Sequence, residues 1–166
     1  MAFRELVQSL EEMLMLYQTL YELGLKKKDQ IIKNEMNEMT ASLSKESKLL
    51  KLMNENENAR RAIVIQIQRD LGFRPRLHVT LSDISKMVTN PDDKQEITKL
   101  QQELNVVVTN LRKLNELNQQ LIQQSIEFVE FSLDTMFGAP DEEVVYKNPA
   151  LQPQGSKRTG LFDTRA

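Results

Sequence analysis

The sequence predicts an all-α fold: an elongated antiparallel helical bundle or coiled coil that ends in a flexible C-terminal tail. Three observations predict it. Apolar residues recur at three- and four-residue spacing through most of the first 137 positions, the period of helices that bury one face. Helix stops and starts punctuate that pattern at only a few places. Five glycines and five prolines in 166 residues are few, and three of each fall in the last 29. Residues 1–137 therefore read as one helical domain and 138–166 as the tail.

The first helix is expected over about 2–33. Phe3, Leu6, Leu10, Met13, Tyr17 and Leu20 form its stripe, and Val7, Leu14, Tyr21, Leu25 and Ile32 widen it. Gly24 sits inside this pattern and is expected to weaken or bend the helix. The segment KNEMNEM, Lys33 to Met39, reads as a break, with Asn34 or Asn37 placed to cap a new helix start. A second helix follows over about 36–71. Its apolar positions are Met36, Met39, Leu43, Leu50, Met53, Val64, Ile67 and Leu71, and Glu46, Glu57 and Arg60 share their register. The middle of that seam is accordingly poor. One unbroken helix over 2–71 is the competing reading, but roughly 70 residues would span about 100 Å. No other part of the chain is long enough to cover it.

Gly72 is a helix stop, and Pro75 holds the following loop open. Thr80 then caps a short helix over about 80–88, with Asp83 placed to reach back in a capping box. The clearest start is Asn90-Pro91-Asp92-Asp93: an amide cap, a proline in the first turn, and two acids against the helix dipole. The last helix is expected over about 91–137. Its seam runs Ile97, Leu100, Leu104, Val107, Leu111, Leu114, Asn118 and Leu121, a heptad pattern with one polar residue in a core slot. Asn118 either fixes the pairing register or is solvated.

The end of this helix carries more apolar surface than one face needs. Ile122, Ile126, Val129, Leu133 and Met136 follow 4-3-4-3 spacing, with Leu121, Phe128 and Phe131 on the flank. Seven of the twelve residues from Ile126 to Phe137 are apolar. Burying each stabilises by roughly 1.5–3 kcal/mol, so the gross stake is on the order of 10 kcal/mol. The first two helices account for one covered face. The other requires a second copy, the tail or a partner. Just upstream, Asn115 to Ser125 holds six Asn and Gln with Glu116 as its only charge. Amides meet a partner's polar groups without burying charge, as an amphipathic helix in a groove does. The plain alternative is a solvated Gln-rich helix whose end is core. The eight methionines divide the same way, between gap-filling core and an adaptable binding surface.

Chemistry is sparse. There is no cysteine, so neither a disulfide framework nor a thiolate is available. The only histidine, His78, stands in the Pro75 loop and is expected to be solvated or locally bonded. No HExxH, P-loop or GxGxxG occurs. The Lys26-Lys27-Lys28 run is too short for a nucleic-acid stripe, and no aromatics interleave with basic residues. The net charge is −2. Not an enzyme, no metal, no cofactor and no nucleic-acid partner are the expectations. Neither a signal peptide nor a membrane-spanning segment is expected.

The long N-terminal helices, the Thr80-Leu81-Ser82 cap, the motif LNELNQQLIQQSIEF and the polar tail ending GLFDTRA resemble FlgN-type flagellar export chaperones of Gram-positive bacteria. The resemblance implies a cytoplasmic type III secretion chaperone. Such a protein binds terminal helical segments of hook–filament junction proteins and delivers them to a membrane export gate. It places the client-binding region at Leu111 through Phe137, with Leu111, Leu114, Asn118, Leu121, Ile122, Ile126, Phe128, Val129, Leu133 and Met136 as contacts. It implies an export-gate contact at Tyr146, where KNP follows in place of a Gly-rich turn. The alternative from another class is a structural coiled-coil homodimer that buries the same stripe against itself.

Overall fold

The computed structural model describes residues 2–76 and 78–138. The order is α1 (Ala2–Lys33), α2 (Met36–Asp70), α3 (Leu81–Met87) and α4 (Pro91–Phe137), with no strand among the described residues. The fold is all-α. The chain divides into two compact units, Met1–Phe128 and Val129–Ala166. The expected flexible tail lies, from residue 139 on, outside the described residues.

α1 and α2 form an antiparallel hairpin. Ser9 reaches Asn56 at 3.2 Å near one end, and Lys27 reaches Glu46 at 2.7 Å near the other. The reversal between them is closed by Asn34, which sits at φ 57. The Asn34 N–H donates to the Ile31 carbonyl and the Glu35 N–H to the Gln30 carbonyl. Those bonds satisfy carbonyls that a helix end leaves free, and asparagine tolerates the left-handed conformation they need. Asn34 therefore ends α1 rather than starting α2, whose N-cap is Glu35 with no side-chain cap bond. Gly72 closes α2 the same way at φ 75, with bonds from Gly72 to Arg69 and from Phe73 to Gln68.

α3 starts as its residues dictate. Thr80 accepts from the Asp83 N–H at 3.1 Å, and the Asp83 carboxylate accepts from the Thr80 N–H at 3.0 Å. The Asp83 carboxyl is held below its ordinary value, first by the Thr80 hydroxyl and then by its backbone N–H. At the start of α4, Asn90 Oδ1 accepts from the Asp92 N–H at 3.0 Å.

The core joins Leu6, Val7 and Leu10 of α1 with Val64 and Ile67 of α2, Ile84 of α3, and Ile97, Leu100 and Leu104 of α4. Leu6 and Ile97 are 0% exposed. Phe3, Met13, Tyr17, Ile63 and Val79 pack around this cluster. It lies where the N-terminal half of α1 meets the C-terminal end of α2 and the start of α4.

Away from that cluster α2 uses a seam one residue off the apolar one. Met36, Leu43, Leu50 and Leu71 are exposed. The covered positions include Met39, Ser42, Glu46, Leu49, Met53, Asn56, Arg60, Ile63 and Ile67, again at 3-4 spacing, with Glu57 and Val64 of the expected register covered beside them. Polar members of that seam have partners: Lys27 for Glu46, Ser9 and Glu12 for Asn56, Glu57 for Arg60. Apolar content alone pointed to positions 43 and 50. The ion pair and amide bonds turn the neighbouring face inward.

Candidate functional site

α4 runs parallel to α1. Arg4 pairs with Glu96 at 3.7 Å, and Asn118 Nδ2 donates to the Gly24 carbonyl at 3.0 Å. The sequence offset is 92 residues at the first pair and 94 at the second. The same offset carries Lys33, the last residue of α1, to positions 125–127. Pairing positions on α1 end there.

Gly24 explains how closely the two helices approach. A Cβ on Gly24 would lie 2.8 Å from Leu114 Cδ2. The glycine expected to weaken α1 is instead buried, and Leu114 fills the space that a side chain would take. Asn118 is buried beside it, with Oδ1 lacking a hydrogen-bond partner. A one-sided amide in a seam costs stability but admits one pairing register.

Ten residues were expected to form the client surface, and the structure divides them. Leu114 and Asn118 are buried in the first unit, in contact with Gly24, and Leu111 is half-buried one heptad position before Leu114. Leu121 and Ile122 are half-buried. Ile126, Phe128, Val129, Leu133 and Met136 are exposed, Phe128 at 70% and Met136 at 77%. Phe131 and Phe137, on the same stretch, are exposed too. Of residues 123–138 only Ser132 is half-buried, and the rest are exposed. Ile126–Phe137 thus holds no buried residue, and its seven apolar side chains are all exposed. Tyr146 lies outside the described residues.

The polar side of the same stretch is acidic. From Leu114 to Phe137 the charged residues are Glu116, Glu127, Glu130 and Asp134, with no Lys or Arg. The last turn of α4 carries no basic residue, so the negative end of the helix dipole has no compensating cation. An apolar strip beside carboxylates suits an amphipathic helix with basic residues at its edge.

Methionines fall in both groups. Met13, Met39, Met53 and Met87 are half-buried, while Met15, Met36 and Met136 are exposed. His78 is exposed in the α2–α3 loop. Among the described residues no group of three or more His, Asp or Glu could hold a metal ion, and no helix is long and apolar enough to cross a membrane.

The described residues thus make an all-α protein: a helical hairpin, a long helix parallel to α1, and a helix end whose apolar side chains are exposed. The chain belongs to the FlgN family, a family of flagellar export chaperones: the model described as "FlgN protein" matches residues 1–154. The chain is also 24% identical to an uncharacterised protein, YvyG, of Bacillus subtilis (strain 168), over 166 residues and the full length of both chains. No solved structure matches it.

Proposed function

We propose that this protein is a cytoplasmic chaperone of flagellar type III export. It binds the terminal helical segments of hook–filament junction proteins, shields them from premature association and brings them to the membrane export gate. The observation that carries this reading is the exposed apolar stripe Ile126, Phe128, Val129, Leu133 and Met136 in a chain of the FlgN family. Leu121 and Ile122 extend the stripe toward the bundle. Leu114 and Asn118 hold α4 on α1 at Gly24 and act through that support, with half-buried Leu111 one turn before them. A client helix lays its apolar side along the stripe and its basic edge against Glu127, Glu130 and Asp134. No nucleotide or metal takes part. The gate contact is assigned to Tyr146 on the family resemblance.

The test is a pull-down of C-terminal junction-protein fragments with the full chain and with Phe128→Asp/Val129→Asp. Both side chains are exposed, so the variant keeps the helix content and melting temperature of the parent. Client binding is lost, because two carboxylates replace surface that must leave water. An unfolded variant would show these residues to be core. Unchanged binding would move the site off α4.

A second reading is favoured by the same exposure: a homodimer closed by this stripe. Sedimentation with and without a client fragment separates the two. A stable dimer sensitive to Phe128→Asp, with no client complex, selects the structural protein.

A further inference from the structure

Gln68 is 1% exposed near the end of α2, and it directs both ends of its amide at one loop residue. Gln68 Oε1 accepts from the Arg76 N–H at 2.8 Å, and Nε2 donates to the Arg76 carbonyl at 3.3 Å. Pairing one amide with both polar groups of a single residue pins the backbone there. The pinned loop holds Arg76 and His78 across from Arg60 and Arg61 of α2, and a cleft of about 400 Å³ lies between them.

The charge in this cleft is unbalanced. Three guanidiniums line it with a single carboxylate, Glu57. Glu57 already accepts from Arg60 Nε at 2.7 Å, Arg60 Nη2 at 2.8 Å and Arg61 Nε at 3.0 Å. Those bonds, the Arg60 pair above all, hold its carboxyl below the ordinary value against the opposing effect of burial. Asp83, the next acid along, is bonded to Thr80 and attracts Arg76 only as its weakest partner, so it offsets part of one guanidinium's charge. A local excess of positive charge thus stands in a chain of net charge −2. Val64, Ile65 and Val79 also line the cleft. Inorganic phosphate uses the guanidiniums alone, whereas a peptide that alternates carboxylates with apolar side chains uses both kinds of wall.

We propose that this cleft is a docking site for an acidic peptide segment of a partner protein, its carboxylates on Arg61 and Arg76 and its apolar side chains on Val64, Ile65 and Val79. Guanidinium forks bind carboxylates bidentately, and arginine clusters recur where acidic motifs are read. The site shares no residue with the stripe on α4 and does not rest on its assignment.

Fluorescence anisotropy on the full chain tests it, with a short labelled peptide of alternating glutamate and valine and a lysine–valine peptide as control. The glutamate peptide binds, weakens with salt, and loses about tenfold or more in affinity in Arg61→Ala/Arg76→Ala. Both side chains are exposed, and circular dichroism confirms that the variant keeps its fold. Phe128→Asp/Val129→Asp binds the peptide as the parent does. Equal binding of the two peptides overturns the proposal, as does full affinity in the double arginine variant. Complete displacement by an equal concentration of inorganic phosphate overturns the peptide assignment.

Discussion

At Gly24, helix propensity and packing pull in opposite directions. A glycine inside a helix costs about 1 kcal/mol relative to alanine. A Cβ there would meet Leu114 Cδ2 at 2.8 Å, and overpacking a closed contact costs about 1–3 kcal/mol. The clashing atom is the end of a flexible side chain, which puts the cost near the lower bound. Gly24→Ala is therefore expected to destabilise the parent slightly, by about 1 kcal/mol or less. In a Leu114→Ala background the clash is gone and only propensity remains, so the same change stabilises by about 1 kcal/mol. Denaturant unfolding of the four proteins measures this. An alanine that stabilises both backgrounds alike would show that the close approach carries no weight. Gly24 was visible in the sequence as a weak point in α1, but the reason it stands there was not. Its neighbours in space are 90 and 94 positions along the chain, and local periodicity holds no record of that distance.

Among the elements, those whose ends are set by their own residues were the most legible. Thr80 with Asp83, and Asn90 with Pro91, make the cap bonds their chemistry calls for. The seam of α2 was less so. Two heptad registers share Met39, Glu46, Met53, Arg60 and Ile67 and differ by one residue in between, and partners on α1 decide which faces inward. Acid should loosen α3 and the α2 segment near it. The Glu57 and Asp83 carboxyls are both held below their ordinary values, 4.5 and 3.8. A depressed carboxyl stabilises fully above its unfolded-state value and loses that contribution as pH falls through the folded one. The melting temperature is thus expected to be flat near neutrality and to fall below about pH 4.5. Glu57→Gln/Asp83→Asn, which removes both titrations, should melt lower than the parent at pH 7 and lose less on going to pH 3. Calorimetry at the two pH values checks it. Equal losses would assign the acid sensitivity to other carboxylates.

Across the whole molecule, buried apolar contact is concentrated in one part of the sequence map and missing from another. Leu6, Leu10, Val64, Ile67, Ile97 and Leu104 share a core, while Gln123 to Phe137 has no buried residue. The surplus at 126–137 was legible because composition and spacing together show more apolar surface than one face uses. Which residues of α4 are buried was not, since Leu114 and Asn118 meet a glycine about 90 positions earlier in the chain. Local opening follows the same division, because a helical stretch with no buried residue is held mainly by local bonds within the helix. Hydrogen exchange on the full chain should find the slowest amides at 6–10, 64–68 and 97–104, and the fastest of α4 beyond residue 123. A junction-protein fragment should slow exchange at 121–137 and leave the core amides as they were. If the stripe instead serves a homodimer, slowing there tracks the protein's own concentration and the fragment adds nothing. Core-like protection of 126–137 in the dilute, client-free protein would mean that the chain already covers this surface itself, and the chaperone assignment of α4 would be lost.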